Sequence, residues 1–578
     1  MYYIGHMDRY DFIIVGGGSA GSVLASRLSA QPANSVLLLE AGRDIPPGHE
    51  PAEILDTFYM APYHAENLWP DTRVHWSAVP AGGPEPEPAF YEQARVIGGG
   101  SSINAMVAVR GAPDDFAEWE SLGATGWSWE DVLPYYRRLE RDLDFAGDLH
   151  GTDGPIPIRR HHRDQWPPLV RAMGANFERA GYRHIEDANT SFEDGFCSLP
   201  MSSLPAHRVS AAMGYLDAAT RGRANLEILG DHQVDTLCFE GKRVVGVSAV
   251  GAHGRRDFSA RQVIISAGGL RSPALLLRNG IGPPDALRAL GLPVHSALPG
   301  VGRNLLDHPT VFVAAHLRRG TEQDPRLRPN THCALVYSSG IDGCPSRDMF
   351  LTVLNKTTWH PLGRRLGGFA VCLHKPFSTG TVSLRSPDPM LTPHIAFNAL
   401  ADPRDLARIK AGLRLVAELL RAPEVAGLIN ETFAASFSAR IQRLNRHSRL
   451  NWLTSALAKV LLDGPAAFRT QLFQHLIRVG PRLESLVADE AALEAWINAN
   501  VTGFFHPCGT CRMGAPGDPA TVVDSNARVQ GVEGLRVVDA SIMPAPIRAP
   551  TNITTIMMAE KIAAHLLREQ SLGVSVRG

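Results

Sequence analysis

The sequence predicts an α/β fold in which a Rossmann-like domain is interleaved with a second, α+β domain. The short apolar run 12–15 is followed by a glycine turn, a helical stretch over 19–28 and a second apolar run over 36–39. This order is typical of the first βαβ unit of a buried parallel sheet. A chain of 578 residues with 44% hydrophobic side chains also has enough core for more than one domain.

The turn after the first strand has G-x-G-x-x-G spacing, with Gly16, Gly18 and Gly21. The first glycine permits a tight turn, the second lets a pyrophosphate approach the backbone, and the third lets helix and strand pack closely. The helix N-terminus offers unpaired N–H groups to phosphates. Glu40, which ends the second strand, can accept hydrogen bonds from ribose hydroxyls. The pattern predicts a dinucleotide site and leaves NAD and FAD both open.

Three later segments combine a strand with glycines or a terminal acid. They are the loop 95–104 (RVIGGGSSIN), the run 260–273 with its strand 263–265, and the run 535–540 (LRVVDA). Consecutive glycines let backbone approach a flat or charged ligand, and the hydroxyls and amide that follow can hydrogen-bond it. Segments spread over the whole chain favour the long cofactor FAD over a nicotinamide module confined to one block.

The C-terminal part contains two further motifs, FFHPCGTCRMG at 504–514 and DASIMPAPIRAPTNITTIMMAE at 539–560. With the turn at Gly16, the loop 98–104, the turn 267–273 and the segment 299–309, the chain resembles the glucose-methanol-choline (GMC) oxidoreductases over nearly its whole length. Within that family it is most similar to the bacterial 5-hydroxymethylfurfural and aryl-alcohol oxidases, through the stretches 91–93, 154–158, 210–217 and 375–380.

The resemblance implies that His506 and Asn552 are the catalytic residues. Oxidation of an alcohol carbon by hydride loss requires a base for the hydroxyl proton, and histidine suits neutral pH. The amide of Asn552 cannot act as a base but can orient the alkoxide. The family usually has Asn-Thr-Asn where this chain has Pro550-Thr551-Asn552, which stiffens the approach and removes a polar group.

The resemblance also implies contacts between FAD and all four glycine or acid segments. The residues assigned to the cofactor are Gly16, Gly18, Ser19, Ala20, Gly21, Glu40, Ala41, Arg95, Gly99, Gly100, Ser102, Asn104, Ala105, Val234, Ala267, Gly268, Asp539, Ala540, Asn552 and Thr554. No metal ligands are expected, because the Cys508-x-x-Cys511 pair has no second pair at zinc spacing.

Domain boundaries follow from the order of the motifs. The FAD-binding domain is expected at 1–155, 205–310 and 500–578, and the substrate-binding domain at 156–204 and 311–499, with a sheet over 369–385. Such an arrangement places the substrate pocket between the domains, where ligand sites are common.

Composition limits the partners and the compartment. The net charge of −1 gives no electrostatic basis for nucleic-acid binding. The first residues lead into a strand rather than a secretory leader, and seven scattered cysteines do not form a disulfide framework. A cytoplasmic protein is therefore expected.

The segment 437–482 is basic and amphipathic, with Asp463 as its sole acid. Two helices broken at Gly464-Pro465 are predicted. They are either an ordinary cover of the substrate domain or a weak contact with a membrane surface.

The leading hypothesis is an FAD-dependent oxidase that converts a primary, aromatic or furanic alcohol to the aldehyde, with dioxygen as acceptor. A quinone-linked, choline-dehydrogenase-like enzyme is the main alternative. Two further hypotheses are a lyase or photodecarboxylase on the same scaffold and a non-catalytic FAD-binding protein.

FAD is expected to be bound without a covalent link. Some family members attach the flavin through a histidine just before the asparagine of the glycine loop, and Ile103 stands in that position here. Precipitation of the protein with trichloroacetic acid should therefore leave a colourless pellet and a yellow supernatant. Flavin colour that stays with the denatured pellet would refute the expectation.

Overall fold

The computed structural model describes residues 9–78, 85, 87–435, 443–445, 448–465, 469 and 480–572. Sixteen α-helices lie within these ranges. They are α1 Ser19–Ser29, α2 Ala52–Leu55, α3 Gly100–Ile103, α4 Pro113–Ser121, α5 Trp129–Leu139, α6 Pro168–Arg179, α7 Ala211–Tyr215, α8 Ala218–Arg221, α9 Gly268–Arg278, α10 Pro284–Ala289, α11 Pro403–Leu419, α12 Pro423–Ala426, α13 Arg449–Leu462, α14 Leu483–Ala488, α15 Glu490–Asn500 and α16 Thr551–Ser571.

The strands of the described ranges form five sheets. They are β1 Arg9–Val15, β2 Val36–Leu39, β3 Arg73–Ser77, β4 Ala89–Phe90, β5 Glu140–Asp142, β6 Ile156–Arg159, β7 His184–Ile185, β8 Gly195–Ser198, β9 Met201–Ser202, β10 Leu226–Leu229, β11 Gln233–Glu240, β12 Arg243–Gly251, β13 Gly254–Ile265, β14 Ile281–Gly282, β15 Ser296–Ala297, β16 Thr310–Leu317, β17 Thr331–Tyr337, β18 Met349–Leu354, β19 Leu366–Leu373, β20 Thr381–Ser383, β21 His394–Ala399, β22 Ile429–Ala435 and β23 Leu535–Val537.

The first sheet is a parallel sheet with an antiparallel arm. Its order is β10-β2-β1-β13-β12-β11, and β23 pairs with the end of β13. Ile14 of β1 lies between Leu38 and Ile264, and all three side chains are fully buried. Apolar residues on both faces are what a parallel sheet covered by helices requires. The predicted Rossmann-like α/β core is therefore confirmed.

The second large sheet has the order β22-β16-β19-β18-β17-β8-β7 and is antiparallel except for the pair β7–β8. Helices α6 and α11 pack beside it over a separate apolar core. This helix-backed sheet is the α+β part that the sequence predicted.

A four-stranded sheet, β20-β21-β3-β4, joins chain segments that are more than 300 residues apart, since β21 pairs with β3. The expected single sheet over 369–385 was wrong. β19 lies in the seven-stranded sheet and β20 in the four-stranded one, because Pro376 and the following turn separate them. The domain boundaries remain a prediction.

None of the described helices combines the length and the apolar character needed to span a bilayer. Of the two helices predicted at 437–482, α13 is present and ends just before Gly464, as expected. Most of the second one lies outside the described residues.

A buried ionic cluster joins β5 to the chain that follows β6 and β7. The His150 ring lies 3.0 Å from Asp187 and 3.3 Å from Asp142, and Arg160 bridges the same two carboxylates at 2.8–2.9 Å. Arg110 and Glu140 form a further pair beside them. Three carboxylates thus offset three cations, and the hydrogen bonds raise the pKa of His150 to about 11.

The charge of His150 should make thermal stability pH-dependent. The stabilisation that the charged His150 adds to the folded state is fully present below the unfolded imidazole pKa of roughly 6.5. It is lost as the pH rises towards the folded-state pKa of about 11. His150→Gln should lower the stability by about 3 kcal/mol near neutral pH, where it leaves excess buried negative charge. The Tm difference from wild type should shrink from neutral pH to about pH 10. The half-exposed neighbour His162 provides the control His162→Gln; a pH-independent difference for His150→Gln would contradict the assignment.

Candidate active site

The first glycine turn has the backbone geometry that the sequence predicted. Gly16 adopts a φ of +103°. A Cβ on Gly21 would lie 1.9 Å from the Gly16 carbonyl oxygen, so only glycine lets α1 pack this closely. α1 starts at Ser19, which Ala20 follows, and no side chain caps its first turn. Its N-terminal N–H groups are therefore available to an anion.

Glu40 lies at the end of β2 with its carboxylate buried. It accepts hydrogen bonds from the backbone N–H groups of Gly17 at 2.7 Å and Gly42 at 2.8 Å, while burial raises its pKa. Two other predicted residues lie close by. The Arg95 guanidinium donates to the carbonyl of Ala41 at 3.1 Å. Val234 is the second residue of β11, and the His232 N–H just before this strand donates to the Glu40 carbonyl at 2.8 Å.

The second glycine segment lies against the first. A Cβ on Gly99 would be 2.8 Å from the Gly18 Cα, whereas a Cβ on Gly100 would meet no protein atom within 4 Å. The polar side chains of this loop serve the loop itself: the Ser102 hydroxyl donates to the Ile97 carbonyl at 2.7 Å, and Asn104 Oδ1, just before Ala105, accepts from the Met106 N–H. Their predicted contact with the cofactor remains a prediction.

The third and fourth segments meet through one carboxylate. Asp539 accepts from the Gly268 N–H at 2.8 Å and from the Ser272 hydroxyl at 2.5 Å. Ser272 also receives the N–H of Ala267. The carbonyl of Ala540 accepts from the Gly509 N–H, which links this turn to the motif that contains His506.

These features fit an extended dinucleotide cofactor. The two glycine turns touch at Gly18 and Gly99, α1 has no cap, and Gly100 and Gly268 both face open space where a side chain would stand. Residues in such positions let a ligand approach the backbone. They could hold the diphosphate of FAD, with Glu40 positioned for the ribose.

His506 lies beside a second histidine. Its Nδ1 is 2.8 Å from Nδ1 of His308, the two rings are nearly perpendicular, and the Phe504 ring packs edge-on against His506. Burial and the neighbouring imidazole hold the pKa of His506 well below its usual range, and burial lowers the pKa of His308 to about 4. Both rings are therefore neutral near pH 7.

The partners of His308 determine which nitrogen of His506 carries the proton. A neutral imidazole has one N–H group, and the nearby backbone carbonyl of Ile547 favours a proton on His308; we assign that proton to Nε2, because Nδ1 faces His506. Its Nδ1 must then accept, so His506 donates through Nδ1. Nε2 of His506 is left with a free lone pair, which is the state that a general base needs.

The backbone around both histidines is fixed by Asp307. Its Oδ1 accepts the N–H groups of His308 at 2.7 Å, Phe504 at 3.1 Å and His506 at 3.0 Å. Oδ2 has no hydrogen-bond partner among the described residues. Burial raises the pKa of Asp307 to about 7.

Asn552 lies in the first turn of α16, and its Oδ1 accepts a hydrogen bond of 2.7 Å from the Ser19 hydroxyl. This bond joins the helix of the glycine turn to the helix of the second predicted catalytic residue. The N–H groups of the amide remain available to a substrate. Thr554, two residues further along α16, is buried with its hydroxyl 2.6 Å from the Tyr136 hydroxyl. His506 and Asn552 make no hydrogen bond with each other.

The cysteines of the motif are thiols. Cys508 and Cys511 are buried and unpaired with each other, and burial raises the pKa of both well above the ordinary thiol value. A redox-active pair requires an accessible thiolate, and neither of these buried thiols provides one.

No motif in the sequence predicts the hydrogen-bond partner of His506. Taken by itself, the segment Asp307-His308-Pro309 is typical of a structural turn near the cofactor, whereas the structure places both titratable residues against the active-site motif. The available signal was two adjacent ionisable residues between apolar runs, where a purely structural turn needs no imidazole.

Comparisons with known proteins identify the family of the chain. Residues 10–310 and 376–559 match the N- and C-terminal family models of the GMC oxidoreductases. A 5-(hydroxymethyl)furfural oxidase of Methylovorus sp. (strain MP688) is 41% identical over 97% of this chain and 99% of its own. The mitochondrial choline dehydrogenase of Homo sapiens is 32% identical over 97% of this chain and 90% of its own. The structure of pyridoxine 4-oxidase from Mesorbium loti has a TM-score of 0.80 at 28% identity and covers 97% of this chain and 99% of its own.

His308 should act on the rate through His506. His308→Phe removes the acceptor for Nδ1–H, so the rate of flavin reduction should fall by about tenfold or more while KM changes little. His308→Asn keeps an oxygen acceptor near the Nδ1 position and should retain more of the rate.

The wild-type pH profile provides the second readout. Because the pKa of His506 is lowered, kcat/KM should stay high until the pH falls below roughly 6.5. Equal rates for all three proteins, or an acidic limb above that pH, would contradict this role of His308.

Proposed function

Because the chain belongs to the GMC oxidoreductase family and is thus an FAD-dependent oxidoreductase acting on alcohols, we propose that it oxidises a primary aromatic or furanic alcohol to the aldehyde with dioxygen as acceptor. The single observation that supports the mechanism best is the 2.8 Å contact between the neutral rings of His506 and His308.

In the proposed reaction Nε2 of His506 accepts the hydroxyl proton of the substrate. The His308 contact holds the ring in the tautomer that exposes this lone pair, and burial keeps the ring unprotonated until the proton arrives. Bound FAD supplies the acceptor for the hydride. After the transfer, the imidazolium of His506 retains the proton and adds a positive charge to the site.

Asn552 orients the alcohol in this proposal. The Ser19 hydroxyl donates a hydrogen bond to the carbonyl oxygen of the Asn552 amide. The amide therefore presents its N–H groups, rather than its oxygen, to the substrate. An N–H donor stabilises the negative charge that develops on the substrate oxygen. Pro550 fixes the start of the same helix and limits the freedom of this donor.

An aromatic or furanic substrate is supported by the rings near the motif. Phe505 lies 5.0 Å from Tyr91, and Trp76 stacks on Phe397 at 4.6 Å, measured between ring centroids. Trp76 and Phe397 also line a small pocket that reaches Asp307. Flat apolar walls favour planar rings over charged or branched alcohols.

Dioxygen is proposed as the acceptor because the relative with 41% identity is named an oxidase. A quinone-linked dehydrogenase is the second candidate, supported by the choline dehydrogenase at 32% identity. The two differ in product: an oxidase releases one hydrogen peroxide per aldehyde under air, and a dehydrogenase needs an added acceptor.

The decisive experiment mixes the enzyme anaerobically with benzylic, furanic and aliphatic alcohols and follows the loss of flavin colour. Benzylic or furanic alcohols should bleach the flavin fastest, and His506→Ala should slow bleaching by on the order of 100-fold. Asn552→Ala should slow it less, because it removes a donor rather than the base. FAD content and Tm serve as controls for folding. An unchanged rate in His506→Ala, or bleaching by aliphatic alcohols alone, would refute the proposal.

A further inference from the structure

Helix α13 exposes its large apolar side chains to solvent. Leu450, Leu453, Leu457 and Val460 are 60–70% exposed, and Trp452 is 49% exposed. The spacing of three, four and three residues places the four aliphatic side chains on one face of the helix. Single exposed apolar residues are ordinary on protein surfaces, but a continuous face of this kind marks an interaction site.

The opposite face of α13 attaches the helix to the protein through smaller side chains. Ser455 and Leu462 are buried, and Leu462 and Ala458 pack on a small core that includes Phe433. An ordinary surface helix turns its larger apolar residues inward. Here four large aliphatic side chains point outward, and their contacts with the part of the chain that the structure describes do not account for them.

The charges around this face are almost all positive. α13 has no carboxylate, Arg449 begins it, and the exposed Arg443 precedes it. The acid that follows α13, Asp463, is already bound by Arg365 at 2.5 Å and Arg319 at 3.2 Å. In the sequence, 437–482 has eight Lys and Arg and one Asp, a net charge of +7, whereas the whole chain has −1 and its remainder therefore −8.

These observations discriminate among partners. A second copy of the chain would bring two strongly positive surfaces together, which disfavours a symmetric dimer through this face. An anionic bilayer satisfies both properties at once, because its interior accepts the aliphatic side chains and its headgroups attract the arginines. Trp452, at the edge of the apolar face, is the residue type enriched at such interfaces.

We propose that α13 docks the protein on anionic membranes, lying in the plane of the interface. At 1.5 Å per residue, its 14 residues extend for about 21 Å, which is shorter than the roughly 30 Å hydrocarbon core of a bilayer. The helix therefore lies on the membrane. The inference is independent of the proposed reaction, because docking needs neither alcohol nor acceptor.

Vesicle flotation of the FAD-loaded enzyme tests the proposal. Wild type should float with phosphatidylcholine vesicles that contain phosphatidylglycerol, and much less with phosphatidylcholine alone. Leu453→Ser with Leu457→Ser should reduce the partition coefficient by about tenfold or more. Arg443→Glu with Arg449→Glu should reduce it on the order of tenfold, and raised salt should act in the same direction.

The matched control is Met390→Ser with Leu391→Ser, which removes two equally exposed apolar side chains (71% and 54%) from another part of the surface. It should float like wild type. Flavin absorbance and Tm verify that each variant is folded, and light scattering without vesicles reports its mass. The proposal is overturned if wild type does not float at low salt, or if the α13 variants float as well as the control. It is also overturned if the leucine variant only converts a dimer to a monomer.

Discussion

One buried carboxylate fixes the geometry around His506. Asp307 gathers backbone N–H groups from its own turn and from a segment up to 199 residues further along the chain. Reciprocal backbone hydrogen bonds between Leu306 and Cys508 and between Thr310 and Thr502 extend the contact on both sides. No cation compensates the Asp307 charge; oriented N–H dipoles do so, and its pKa rises because they compensate burial only in part. The His308–His506 contact, and with it the proposed base, depends on this alignment.

Local patterns predicted the parts of the fold that local physics determines. The strand Val36–Leu39 was predicted with its observed bounds, and α1 is one residue longer than expected, because glycine spacing and apolar runs constrain a βαβ unit directly. The pairing of His506 with His308 joins residues 198 positions apart, and no spacing rule contains that information. The Ser102 hydroxyl is a second example. From the sequence it could bind a ligand or a group of its own loop, and the hydrogen bond to the Ile97 carbonyl becomes visible only in the folded loop.

The molecule uses charge in two opposite ways. Inside, His150, Arg110 and Arg160 face three carboxylates, and this balance joins neighbouring segments of one chain. The segment 437–482 around α13, by contrast, has eight Lys and Arg and a single acid, Asp463. Buried charges require partners within the fold, because the interior cannot solvate them. Surface charges can remain unmatched, and then their field acts on whatever approaches the protein.

The two buried cysteines of the C-terminal motif bear on the lifetime of the enzyme. A peroxide-forming catalyst exposes its own sulfur atoms to the oxidant it makes, and the thiolate is the form that peroxide attacks. Cys508 stands two positions after His506, yet burial keeps it and Cys511 protonated. In the proposed oxidase reaction, the same tight packing that aligns the histidine would therefore protect these thiols from the hydrogen peroxide that forms beside them.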